Sequence, residues 1–276
     1  MDKDPSILII DPKNIQKEYL KDLFRYKELF YFFCWRDTLV RYKQAIFGIA
    51  WALIRPILHM LVFTLVFSKV AKLSSNNVNY PLFVLAGMLP WQLFSNAIMD
   101  CSNSIINNSH LITKTYFPRM LIPGAQIIVH FTDFCVGTTV LLLALIFMGY
   151  GSLLSIIFFP IFIALTLILC LGCGLWLSAL TVKYRDFKFI VPFLIQFGVF
   201  VSPVGYGTFS IPEKYQIFYF ANPMVGIIDG CRWSLFGITY PGIAYSILFS
   251  IVINLSLLIT GFRYFRKMET SFADGI

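Results

Sequence analysis

Charge is what this chain has least of. Only 13% of its 276 residues are Asp, Glu, Lys or Arg, against about a quarter in soluble domains. With 58% hydrophobic residues and a mean hydropathy of +0.76, an ordinary soluble domain is excluded. Histidine is scarcer still: His59, His110 and His130 form no H-E-x-x-H metal motif. No G-x-x-x-x-G-K-S/T run occurs, so the chain has no loop of its own to cradle ATP phosphates. No G-x-S-x-G elbow presents a nucleophilic serine either,. The expectation is a chain with no catalytic residue and no metal or cofactor of its own. Early apolar sequence is also missing. The first 45 residues carry nine Lys or Arg and seven Asp or Glu, which is not a signal peptide. The six cysteines lie in apolar runs, where a thiol packs as a small hydrophobe. Cys170 and Cys173 form a C-x-x-C with no His or acid beside it, so helix packing outweighs a metal or redox site. A disulfide framework is not expected.

What is present is a series of long apolar runs, each able to supply the ~20 residues of a membrane helix. They predict an all-α integral membrane protein with six spans, at residues 46–70, 80–106, 121–148, 153–182, 189–206 and 243–264. Residues 1–25 read as a polar leader and 265–276 as a short tail. Residues 26–45 mix aromatics with Arg36, Arg41 and Lys43, the pattern of an interfacial amphipathic helix whose rings sit at headgroup depth. Asp37 and Arg41 are spaced to pair on it. Gly172, Gly174, Ser178 and Ala179 in the fourth run permit close helix approach.

Lys and Arg placement sets the orientation. With the N-terminus inside, inner segments hold 17 and outer segments four, Arg55 remaining within the membrane. Both termini are thus expected in the cytoplasm. The net charge of +8 therefore reads as topology and not as nucleic-acid binding. Residues 207–240, rich in Gly and Pro, fall outside. Their apolar pieces are too short to cross and predict a re-entrant hairpin, shielded from lipid by protein or lining a wet cavity, with Asp229 and Arg232 spaced to pair. Inside the membrane, Arg55 lies at a depth between Asp100 and Asp133. Its expected relief is a pair with one of those acids, within the chain or across a dimer, or snorkelling to the headgroups.

The polar insert 107–120, NNSHLITKTYFPRM, must leave the hydrocarbon because Lys114 and Arg119 are costly there. Ser109 is placed to cap a helix of about two turns, ended or bent by Pro118. The sequence LITKTYFPRMLIP, with GMLPWQLFSNAI before it, resembles the membrane subunit of type-2 ABC exporters for bacterial surface polysaccharides: O-antigen, capsule and teichoic acid. GIAWALIRP, VKYRDFKFIVPFLIQF, SPVGY and NPMVGIIDGCRW resemble that family in the same order.

The resemblance implies a homodimer in the bacterial inner membrane, driven by two copies of a separate ABC ATPase that binds ATP and Mg. It implies a lipid-linked glycan moving outward, with O-antigen foremost. The insert would be the coupling helix, contacting the ATPase through Leu111, Lys114, Tyr116, Phe117 and Arg119. KYRDFK would add a secondary contact in which Arg185 and Asp186 are more structural than docking. Sugar C–H faces pack on aromatic rings, so Trp51, Trp91, Phe94, Phe193, Phe197, Phe200 and Tyr206 are the expected pathway lining. An exporter of a drug, lipid or haem in the same superfamily stays open, as does an integral-membrane glycan transferase or polymerase.

Overall fold

The computed structural model describes residues 19–43, 48–150 and 153–272. The expected leader up to residue 18, the junction 44–47, Gly151 and Ser152 of the turn before the fourth run, and the tail from 273 onward lie outside the described residues. Among the described residues all regular structure is helical. The helices are α1 (Tyr19–Arg25), α2 (Lys27–Lys43), α3 (Trp51–Phe63), α4 (Tyr80–Asn107), α5 (Ser109–Lys114), α6 (Leu121–Phe147), α7 (Leu153–Lys183), α8 (Phe187–Val201), α9 (Glu213–Tyr219), α10 (Pro223–Phe236) and α11 (Ile243–Glu269).

Among the described residues, five segments are long and apolar enough to cross a membrane: Trp51–Val70, Tyr80–Asn107, Leu121–Phe147, Ile157–Lys183 and Ile243–Glu269. The fifth expected run, 189–206, yields α8, with 15 residues, or about 22 Å at 1.5 Å per residue. It stops because Pro203 follows Ser202, and a residue before proline is pushed out of the helical region. Ser202 is accordingly extended, with φ −101° and ψ 149°. The first span keeps Pro56 inside α3. Beyond Phe63 its winding widens, and the Ala71 amide bonds back five residues to the Val66 carbonyl at 2.9 Å.

The bundle is built on α4, α7 and α11. α7 and α11 touch along most of their length because glycine removes the side chains between them. A Cβ on Gly172 would lie 2.8 Å from the Leu258 backbone nitrogen, and one on Gly261 would strike the Gly172 carbonyl. α10 is enclosed by α4, α7 and α11, with eleven of its 14 residues buried. It is a complete short helix. Asn222 accepts from the Met224 amide at 3.0 Å as its cap, Pro223 takes the first turn,, and Gly237 ends it at φ 67°,. α9, by contrast, buries only Gln216.

The insert is arranged differently from the expectation. Asn108 precedes the helix, and Ser109 is its first residue and not its cap. The helix ends at Lys114, four residues before Pro118, with Thr115 already extended. The Thr113 hydroxyl donates to the Ser109 carbonyl at 3.1 Å and the Thr115 hydroxyl to Leu111 at 2.8 Å. These are back-bonds to the preceding turn, and the Leu111 carbonyl also accepts the Thr115 amide at 3.1 Å,.

Close packing at glycine yields a test. Gly226 in α10 faces the Ser246 carbonyl of α11, backbone that cannot give way. The nearest atoms to a Cβ at Gly174 belong to the Cys101 side chain, at 3.2 Å. Gly226→Val is expected to destabilise the protein by about 2 kcal/mol or more, seen as a lowered melting temperature in detergent, while Gly174→Ala melts near the parent. Equal melting of the two variants would mean that the α10–α11 contact is not tight.

Candidate functional site

α4 carries a stripe of polar residues along an otherwise apolar helix. Gln92, Asn96, Asp100, Ser104 and Asn107 recur at spacings of three or four and share one face. Three hollows follow that face. One of about 400 Å³, next to the insert, lies between α2, α4 and α6 and reaches Asp100, Ser104 and Asn107. The next, about 250 Å³, is bounded by α2, α3, α4 and α6 and shares Arg41 with the first. The third, about 540 Å³, lies between α3, α4 and α8 and shares Arg55, Gln92 and Asn96 with the second. The result is a cleft along the polar face of α4 whose other walls are largely apolar.

Charge inside the cleft is organised by α2. Arg41 Nε lies 3.6 Å from Asp133 Oδ2 and Arg41 Nη1 3.9 Å from Asp100 Oδ2. Buried His130 sits between them. Its Nε2–H donates to Asp100 at 2.6 Å while its Nδ1 accepts from Arg41 at 3.1 Å. The expected pairing of Arg55 with Asp100 or Asp133 is therefore corrected within the chain: Arg41 reaches both acids first. Arg55 lies over the Trp51 ring at 5.9 Å and lines the second and third hollows. The expected Asp37–Arg41 pair is corrected as well. Asp37 receives Arg36 Nε at 2.7 Å and Gln126 Nε2 at 2.6 Å, and Arg36 also donates to Asn108 at 3.1 Å. Arg41 instead lies between Asp133 and exposed Asp100, while Asp37 has Arg36 and Gln126 in its place.

The expected aromatic residues divide into two groups. Phe193, Phe197 and Phe200 are exposed along one face of α8, the first two in ring contact at 4.6 Å between centroids. Phe200 borders the third hollow and Trp51 the second. Trp91 is buried, its ring against Gly198 of α8, where a Cβ would come within 2.6 Å. It joins α4 to α8, with half-buried Phe94 against it at 5.8 Å. Tyr206 donates to the Phe200 carbonyl and accepts from Tyr219, both at 2.9 Å, bracing the end of α8.

The hairpin end is closed by Arg232, which is 2% exposed. Its guanidinium donates to Val204 O at 2.8 Å, to Tyr206 O at 2.9 Å and, through two nitrogens, to Phe83 O at 3.2 Å. It stacks on the Phe83 ring at 3.6 Å. Gly87 leaves the room for it, since a Cβ there would lie 2.7 Å from Arg232 Nη2. The expected Asp229–Arg232 ion pair is not made. Asp229 instead accepts from Thr208 at 2.9 Å and Tyr240 at 2.6 Å.

At the insert end, Lys114 and Tyr116 are exposed and Leu111 half-buried, while Arg185 and Asp186 lie exposed in the turn before α8. Phe117 is buried against Phe33 of α2, with ring centroids 5.7 Å apart. Arg119 donates through its backbone amide to Glu269 Oε1 at 2.9 Å and through its guanidinium to the Glu269 carbonyl. Phe117 and Arg119 thus face inward. Sequence reasoning passed over Gln92, Asn96 and Glu269 as site residues, gave Arg41 only Asp37 as a partner, and placed His130 in no metal motif. The i,i+4 polar stripe of α4 was the signal available for two of them; Arg41 and Glu269 act through partners distant in sequence.

Long apolar helices around a cleft with one polar face define a multi-pass membrane transport protein. The chain belongs to the ABC-2 type transporter family, whose pattern it matches over residues 28–236. It is similar to an O-antigen export system permease protein, RfbA, of Myxococcus xanthus, at 26% identity over 93% of this chain and 98% of the relative. It is 30% identical to an RfbA permease of Klebsiella pneumoniae, covering 87% and 91%. The polysialic acid transport protein KpsM of Escherichia coli is 24% identical over 85% and 91%.

Two measurements test the charge assignments. In a double-mutant cycle, Arg41→Met and Asp133→Asn are expected to couple by about 1 kcal/mol, whereas Arg55→Met and Asp133→Asn add simply. Additivity in the first cycle would reject the Arg41 assignment. Arg232→Met leaves buried carbonyls without donors and is expected to cost on the order of 3 kcal/mol. Arg232→Lys, whose point charge cannot serve three carbonyls at once, should recover only part of the loss in melting temperature.

Proposed function

We propose that this chain is the transmembrane subunit of an ATP-driven exporter that moves a lipid-linked polysaccharide, of O-antigen type foremost, out across the bacterial inner membrane. The observation that carries the reading is the cleft along α4. Its amides, hydroxyls and carboxylates suit a cargo rich in hydroxyl groups, and the exposed rings of α8 suit sugar faces. A purely hydrophobic drug or lipid would have no use for Gln92, Asn96 and Asp100. The relatives named for O-antigen export and polysialic acid transport support the same reading.

In this mechanism two copies of the chain form the pathway, with both termini and the insert in the cytoplasm. The exposed apolar faces of α3 and α8 are where the second copy and the cargo would meet this one. Hydrolysis belongs to a separate ATPase, two copies per exporter, bound at α5 and the Lys183–Lys188 turn. Leu111, Lys114 and Tyr116 would make the contact, with Arg185 and Asp186 beside them. Phe117 and Arg119 would hold the insert in place for it.

Deleting the gene is expected to remove surface polysaccharide and leave lipid-linked glycan on the cytoplasmic face. A deletion strain with normal surface glycan would reject the reading. Lys114→Glu is expected to weaken ATPase co-purification about tenfold, near 1.4 kcal/mol, with melting unchanged. Undiminished co-purification and ATP hydrolysis in that variant would remove Lys114 from the interface.

A further inference from the structure

We infer that Glu269 is the positioning residue through which the insert drives α11, so that the last span, and not only the flanking α4 and α6, receives the movement of the partner ATPase. The inference rests on the proposed function, which makes the insert the point where that movement arrives.

The geometry converges on one side chain. Glu269 Oε1 accepts from the Arg119 amide at 2.9 Å and from the Tyr19 hydroxyl at 3.1 Å, and Oε2 accepts from Arg266 at 2.7 Å. The Glu269 backbone carbonyl receives the Arg119 guanidinium, which also lies over the Phe272 ring at 6.0 Å. Arg266 in turn covers the Tyr19 ring at 3.5 Å. One carboxylate therefore joins the segment after α5, the start of α1 and the end of α11. Burial first, and then the charge of Glu269, raise the Tyr19 hydroxyl well above its ordinary range, so it stays a donor. Around the carboxylate, Phe117, Phe33, Phe265 and Phe272 form one apolar cluster. The insert is thus gripped by polar bonds within a dry surround, where such bonds are stronger than in water.

α11 is suited to pass the movement on. It lies backbone to backbone on α7 at Gly172 and Gly261. At its far end Ser250 donates to the Pro223 carbonyl at 2.6 Å, and Ser246 Oγ lies 3.2 Å from the Tyr240 oxygen, whose proton goes to Asp229. α10 carries both Asp229 and Arg232. A displacement at Glu269 consequently reaches the hairpin through one rigid helix.

The test uses the complete exporter with its ATPase, in a strain where deletion of the gene abolishes surface polysaccharide and the parent chain restores it. Export and ATP hydrolysis are measured together. For Glu269→Ala, the ATPase is expected to co-purify at the parent level and hydrolyse ATP at near the parent rate, while surface polysaccharide falls at least fivefold. Glu269→Gln, which keeps an oxygen for the Arg119 amide and Tyr19, is expected to restore more than half of the export. Parent-level export by Glu269→Ala overturns the inference. So does a loss of export in step with lost ATPase binding, which would make Glu269 part of the docking surface. Should Glu269→Ala not accumulate, the milder pair Glu269→Gln with Tyr19→Phe carries the test, and an unchanged ratio of export to hydrolysis in it overturns the inference. Persistence of surface polysaccharide in the deletion strain would instead reject the export reading, before any variant is compared.

Discussion

A guanidinium without water must find its acceptors in the protein, and Arg232 finds them on two elements at once. It takes the Phe83 carbonyl from α4 and the Val204 and Tyr206 carbonyls from the chain leaving α8, while its own backbone belongs to α10. The carbonyls gain as much as the cation. Ser202–Tyr206 cannot continue α8 past Pro203, so its backbone needs donors from elsewhere. The arrangement explains several local choices together: glycine at position 87, the burial of α10, and Tyr206 facing back onto Phe200. Remove the guanidinium and each of these loses its reason.

The two ends of the bundle are closed by the same physics and the middle is left open. Glu269 gathers donors at the insert end as Arg232 gathers acceptors at the hairpin end. Between them the α4 stripe faces hollows bounded by α3 and α8, helices with little of their surface buried: α3 buries only Ala52 and Pro56, and α8 only Val191. A rigid core of α4, α7, α10 and α11 thus supports a loosely held wall. Such an arrangement lets the core, α11 included, shift as one body against the wall while keeping its own packing.

Much of this was legible in the residues. Scarce charge and apolar run length gave the membrane helices and most of their boundaries, since the need to satisfy backbone groups in lipid leaves few alternatives. Asn222-Pro223 and Gly237 flank α10, but residues 207–240 were read only as short apolar pieces of a hairpin. The short reach of α8 was written in Ser202-Pro203, but hydropathy carries on through that dipeptide and hides it. Charge pairing was the hardest to read. Arg55 and the acids match in depth, yet depth says nothing of azimuth, and Arg41, on a helix outside the spans, is nearer to both. The inward turn of Phe117 and Arg119 was hidden for a related reason. Their partners, Phe33 and Glu269, are far away in the chain, and an Arg in a polar insert reads as exposed until the end of α11 is in place.

The brevity of α8 has a consequence for the lipid around it. A helix of about 22 Å does not match a hydrocarbon layer of ~30 Å, so the bilayer beside it must thin or the polar chain after Val201 must enter the acyl region. The second course is open here, because the carbonyls of Val204 and Tyr206 are already engaged by Arg232. Either course draws water and headgroups toward the third hollow. In the export reading, a helix too short to span would shorten the distance that a hydrated chain must cross beside this wall.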